Sequence, residues 1–137
     1  MTNFVLGLFV VQMLIGAYQI AHVFSAETDT RLPDVALLFH PMLGGTAALF
    51  WVIYMGVGGV GFAWASFGAL TLGASLGLVM FARTLAEPAE AVEHPSVVGA
   101  AKPLAEKRIP GPMLAVHGLG ATLLFVCTLL VALGVAN

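Results

Sequence analysis

GVGGVG, residues 56–61, interrupts an apolar run that otherwise extends from residue 34 to residue 82. As a single helix that run would be about 70 Å long, more than twice the roughly 30 Å of a bilayer's hydrocarbon core. Glycine enters positive φ with little steric cost, so the chain is expected to turn here. The fold follows from this reading: two spans in place of one, joined as a tight antiparallel hairpin.

Two further apolar stretches flank the hairpin, giving four expected helices over about 3–24, 34–56, 59–82 and 112–135. A segment inside lipid must satisfy its backbone N–H and C=O groups internally, which selects helices over lone strands. The expected fold is therefore an all-α integral membrane protein: a single domain, 1–137, built as an antiparallel four-transmembrane-helix bundle. Composition agrees, with 60% hydrophobic and 9% charged residues and a mean hydropathy of +1.01. A soluble domain carries about 25% charged residues and could not cover its surface with this sequence.

All five Lys and Arg residues (Arg31, Arg83, Lys102, Lys107 and Arg108) lie in or beside the first and third loops. The positive-inside bias places both loops in the cytoplasm and both termini outside, and a bacterial inner (plasma) membrane is the expected location. The net charge is −2 and no basic patch is present, so nucleic acid is not an expected partner. No Lys or Arg precedes the first apolar run, which argues against a cleaved signal peptide. Cys127 is the one cysteine and lies in an apolar run. The third loop, about 84–111, carries Pro88, Pro95, Pro103 and Pro110, leaving room for one helical turn at most.

Of the four histidines, His94 belongs to the acidic part of that loop and is expected to be solvated. The other three lie in or at the spans, where an ionisable side chain is costly and points to function. His40 follows the start of the second span by about six residues and His117 the start of the fourth by about five, which puts both roughly 8–9 Å below the cytoplasmic boundary. At 100° per residue, His40 shares a stripe with Gly44, Ala47, Trp51 and Tyr54, and His117 with Gly120, Ala121, Leu124 and Thr128. A small residue one turn from each histidine leaves space for a flat guest or for close helix contact. Phe39, Met42, Val116 and Leu124 are the expected apolar lining.

The matched pair suggests a b-type haem held between the second and fourth helices, with His40 and His117 as the iron ligands. The cofactor-binding set would be His40, His117, Gly44, Gly120, Ala121, Trp51 and His22. Met80, near the same level on the third helix, is a conceivable third ligand but suits core filling better. His22 extends a polar stripe of Gln12, Gly16 and Gln19 that could meet haem propionates, a quinone or a partner subunit. Ser66, Ala69, Gly73 and Gly77 give the third helix a small-residue packing face, suited to neighbours within the bundle, to other membrane subunits or to a second copy of the chain.

Asp34 is at the mouth of the second span and no other Asp or Glu lies within a span, unlike a small cation-coupled exporter. HExxH, a phosphate loop and GxSxG are also absent, so an electron-transfer or accessory subunit fits better than a self-contained enzyme. The span count with His40 and His117 on facing helices resembles the small membrane b-type cytochromes, that is, the cytochrome b561-like proteins and the haem-anchor subunits of respiratory enzymes. The resemblance implies a redox role in a respiratory or quinone-linked complex. It departs from the two-haem cytochrome b561 pattern, since no histidine lies near the outer face. The competing readings are a non-catalytic membrane subunit or assembly factor, whose histidines only hydrogen-bond, and a histidine-based carrier or sensor of protons or metal.

Overall fold

The computed structural model describes residues 1–26, 29–85 and 104–136. His94 and most of the 84–111 loop lie outside the described residues. The described chain is all helical: α1 (Thr2–Phe24), α2 (Asp34–Val57), α3 (Val60–Leu85), a single 3₁₀ turn (Ala105–Arg108) and α4 (Gly111–Ala132). All four α-helices are long and apolar enough to cross a membrane. They close a ring in which α2 packs on α3, α3 on α4, α4 on α1, and α1 on α2.

The glycine punctuation sets the α2–α3 connection. Gly58 and Gly59 have φ of 73° and 86°, and the Gly58 N–H caps α2 by donating to Tyr54 O at 2.9 Å. A side chain at either position would be strained, so two residues suffice for the reversal. Beyond the turn, small residues bring the two backbones together. The Ser66 hydroxyl donates to Ala47 O at 2.8 Å, and a Cβ placed on Gly73 would lie 3.3 Å from Leu43 Cβ. The fourth helix ends at Ala132, short of the expected residue 135, because Gly134 turns to φ 72°. Its N–H donates to Val131 O, and the Val135 N–H to Leu130 O, which is the paired closure of a Schellman cap.

The interior divides into two packed clusters. One, at the end carrying the chain termini, gathers Val5, Phe9, Trp51, Leu124 and Val131. The other, at the opposite end, gathers Val23, Leu32, Leu37, Ala105 and Ile109. Most large apolar side chains elsewhere point outward, as with Leu14, Leu38 and Leu119, the last 73% exposed. Such a coat suits lipid tails and not water.

Glu106 ties the second cluster together. It is almost fully buried, and its carboxylate accepts from the Thr30 hydroxyl at 2.7 Å and the Arg31 N–H at 3.0 Å. The Ala105 N–H donates to Asp29 O at 3.0 Å, and Lys107 Nζ donates to Thr84 O at the end of α3. The first loop and the 3₁₀ turn are thereby clasped at one end of the helices. Burial alone would raise the Glu106 pKa. The N–H of Glu106 itself, the Thr30 hydroxyl, the Arg31 N–H and the Arg31 charge together outweigh burial and hold it below the ordinary 4.5. A depressed folded-state pKa adds stability at neutral pH that is lost as pH falls below about 4.5. Glu106→Ala is expected to remove that acid sensitivity. It should also destabilise the chain by about 1–3 kcal/mol, since the Thr30 and Arg31 donors lose their partner. Thermal unfolding in detergent at pH 7 and pH 4 measures both effects.

Candidate functional site: a cavity with two facing histidines

Between the two packed clusters lies a cavity of about 600 Å³, within the range of small-molecule and cofactor pockets (about 300–1,000 Å³). His40 from α2 and His117 from α4 both line it. Their ring centroids are 6.1 Å apart and their planes meet at 72°. Wall residues come from both remaining helices as well: Gly16 and Ile20 from α1, Gly77 and Phe81 from α3. Leu32 and Ile109, held by the Glu106 clasp, close the loop end.

The sequence around His40 sets its orientation. Pro41 sits inside α2, which continues through it. It lacks an N–H, so the Leu37 carbonyl one turn earlier receives no intrahelical bond from it. The His40 ring crosses to α3 and places Nδ1 2.8 Å from Gly73 O. A carbonyl oxygen only accepts, so Nδ1 carries a proton, and in the neutral ring Nε2 then keeps its lone pair. Gly77 makes room for the ring: a Cβ there would lie 2.8 Å from His40 Cε1 and 3.1 Å from Nδ1. Gly77→Ala is therefore expected to displace the ring and break the bond to Gly73. Loss of the hydrogen-bonded Nδ1–H signal in ¹⁵N-histidine NMR measures this. Gly16→Ala is the control, because its Cβ would meet His117 Cε1 at an ordinary 3.5 Å.

His117 is held differently. Its Nδ1 is buried and has no hydrogen-bond partner among the described residues. The other polar side chains of the wall are largely committed: Thr84 and Thr122 donate to Met80 O and Gly118 O on their own helices, and Gln19 Nε2 donates to Met113 O at 3.0 Å. The two imidazoles are thus the wall's open ligand chemistry. Among the described residues no group of three or more His, Cys, Asp or Glu side chains could hold a bare metal ion. The donor set is a pair.

The other residues singled out in the sequence fall in several places. Ala121 and Met80 line the cavity with the two histidines. Gly44 faces Gly73 at the α2–α3 contact, and Gly120 is covered by the Gln12 amide. Trp51 is fully buried in the first cluster, and His22 stacks on Tyr18 with centroids 5.9 Å apart. The expected apolar lining is different from that observed. Phe39, Met42 and Val116 are 46%, 56% and 52% exposed and point outward, while Leu124 fills the first cluster. Each of the three outward residues lies one or two positions from a histidine, 100–200° around the helix, and so cannot share its face. Leu37, Phe81, Ile109, Leu114 and Phe125 form the wall instead. Gly16 and Gly77 were recognisable as small residues, but which histidine each one accommodates depends on helix rotation.

Compared with known proteins, the chain matches no family description, no curated protein and no solved structure.

Proposed function

We propose that the chain is an antiparallel four-helix integral membrane protein that holds one b-type haem between α2 and α4, with His40 and His117 as the residues that would ligate its iron. The observation that carries this reading is the pair of imidazoles 6.1 Å apart within an apolar cavity. Two imidazoles at this separation could hold one metal between them. A porphyrin supplies four nitrogens of its own, so two protein ligands complete its iron. A bare ion would need three or four from the protein. Gly77 and Gly16 favour this fit by accommodating the rings themselves, and the bond from His40 Nδ1 to Gly73 O leaves Nε2 as the ligand atom.

When bound, haem supplies one-electron redox chemistry. The chain's own residues orient the two ligands, wall the cofactor with apolar side chains and keep water out at the loop end. With the five cationic residues facing the cytoplasm in a bacterial inner membrane, the site sits near that face. It is then placed to exchange electrons with a quinone or with a neighbouring subunit of a respiratory complex, as in the membrane b-type cytochromes it resembles. A second reading, a non-catalytic scaffold subunit, is favoured by the His40–Gly73 hydrogen bond alone. It gives no account of the cavity.

The test is the absorbance of the full chain expressed with ample haem and purified in mild detergent. The expected result is a Soret band with one haem per chain. A colourless protein that stays colourless after haem is added overturns the proposal and favours the scaffold.

A further inference from the structure

The proposed site leaves one buried group unexplained. Gln12, on α1, is 8% exposed, and its Oε1 has no hydrogen-bond partner among the described residues. His117 Nδ1 is the other buried side-chain atom in that condition. An orphaned acceptor and a nitrogen able to carry a proton are chemically complementary.

They are also neighbours. The Gln12 amide covers Gly120, one turn beyond His117 on α4, so closely that a Cβ at Gly120 would overlap Gln12 Nε2. The His117 ring lies against Gly16, one turn beyond Gln12 on α1. Each orphan is thus bracketed by the helix that carries the other. Gln12 does not line the cavity; Gly16, one turn along α1, does. The last torsion of glutamine is broad, so the amide turns at little energetic cost.

We infer that Gln12 is a positioning residue for His117: its Oε1 accepts the Nδ1 proton and leaves Nε2 free towards the cavity. Gly73 O does the same for His40 from the opposite side of the ring of helices. The two ligands then share one tautomer, one fixed by a backbone carbonyl and the other by a side-chain amide. A carbonyl partner at the outer nitrogen makes an imidazole a more basic ligand and fixes its orientation. This inference rests on the haem reading for its purpose, but the Gln12–His117 bond itself needs no haem.

The experiment compares the wild type with Gln12→Leu, Gln12→Met and Gln12→Glu, each checked for helicity by circular dichroism. ¹⁵N-histidine NMR of haem-free protein reads the His117 tautomer. Haem titration and redox potentiometry read its consequence. In the wild type and Gln12→Glu the proton is expected on Nδ1; in Gln12→Leu and Gln12→Met it moves to Nε2. Haem affinity should fall about 10–100-fold in the two apolar variants, the usual effect of losing an outer-shell partner. The midpoint potential should fall in Gln12→Glu, whose carboxylate is the stronger acceptor. An unchanged tautomer in both apolar variants overturns the inference, and if haem still binds in all forms the haem reading survives it. A tautomer that switches in protein binding no haem keeps the Gln12–His117 pair and removes the haem.

Discussion

If the chain holds haem as proposed, His117→Ala is expected to abolish the Soret band and also to lower the thermal stability of the haem-free protein modestly. The two halves of this result have separate causes. Loss of an iron ligand should weaken binding by more than the about 10–100-fold that an outer-shell change brings. Truncation also leaves the buried Gln12 Oε1 without the Nδ1–H inferred to be its partner, which costs stability. His40→Ala should lose haem as completely and lower stability for a parallel reason, because its ring bonds to Gly73 O across the α2–α3 contact. Interhelical bonds of this kind average about 0.6 kcal/mol in membrane proteins. Absorbance and thermal unfolding in the same detergent measure both quantities. If both variants keep a wild-type spectrum, the two rings are not the ligands.

The largest stability effect is expected at Trp51. Its side chain is fully buried, 6.2 Å centroid to centroid from Phe9 and 5.3 Å from Tyr54. Its Nε1 donates to Thr2 O at 3.1 Å, fastening the first turn of α1 to α2. In water a buried Trp→Ala change costs about 3–5 kcal/mol. Lipid tails are as apolar as the helix interior, so the transfer part of that figure shrinks here and the lost packing dominates. Trp51→Ala should therefore fall near the lower end of the range. Trp51→Phe, which keeps most of the volume and loses the hydrogen bond, should cost about 1 kcal/mol. Reversible unfolding in mixed micelles gives both values. A Trp51→Ala effect below that of Trp51→Phe would contradict the packing described here.

Much of this arrangement was legible in the sequence, because the constraints involved are strong and local. Hydrophobic length identifies four helices, and only glycine tolerates the φ values at residues 58 and 59. That His40 and His117 share one level of the bundle follows from counting residues along their helices, and the stripes carrying Ala47, Trp51, Leu124 and Thr128 do face inward. Helix rotation about its own axis is less legible when every face is apolar. Phe39 and Val116 precede the histidines directly, yet lipid and cavity make equal use of such residues. The clasp was harder still. Glu106 lies in a charged stretch that reads as solvated, and nothing in its neighbourhood forecasts the Thr30 hydroxyl and Arg31 N–H that meet it across 76 and 75 residues of chain.

The order in which the ring closes has a consequence for biogenesis. α4 is the last of the four helices to leave the ribosome, and it alone completes the ring by packing on both α1 and α3. Until it inserts, His40 faces an unfinished trough and has no opposite imidazole. If the cavity holds haem as proposed, the receptor would arise only once the fourth helix has joined the other three. A factor delivering the pigment would then have to meet an assembled quartet and not a nascent chain.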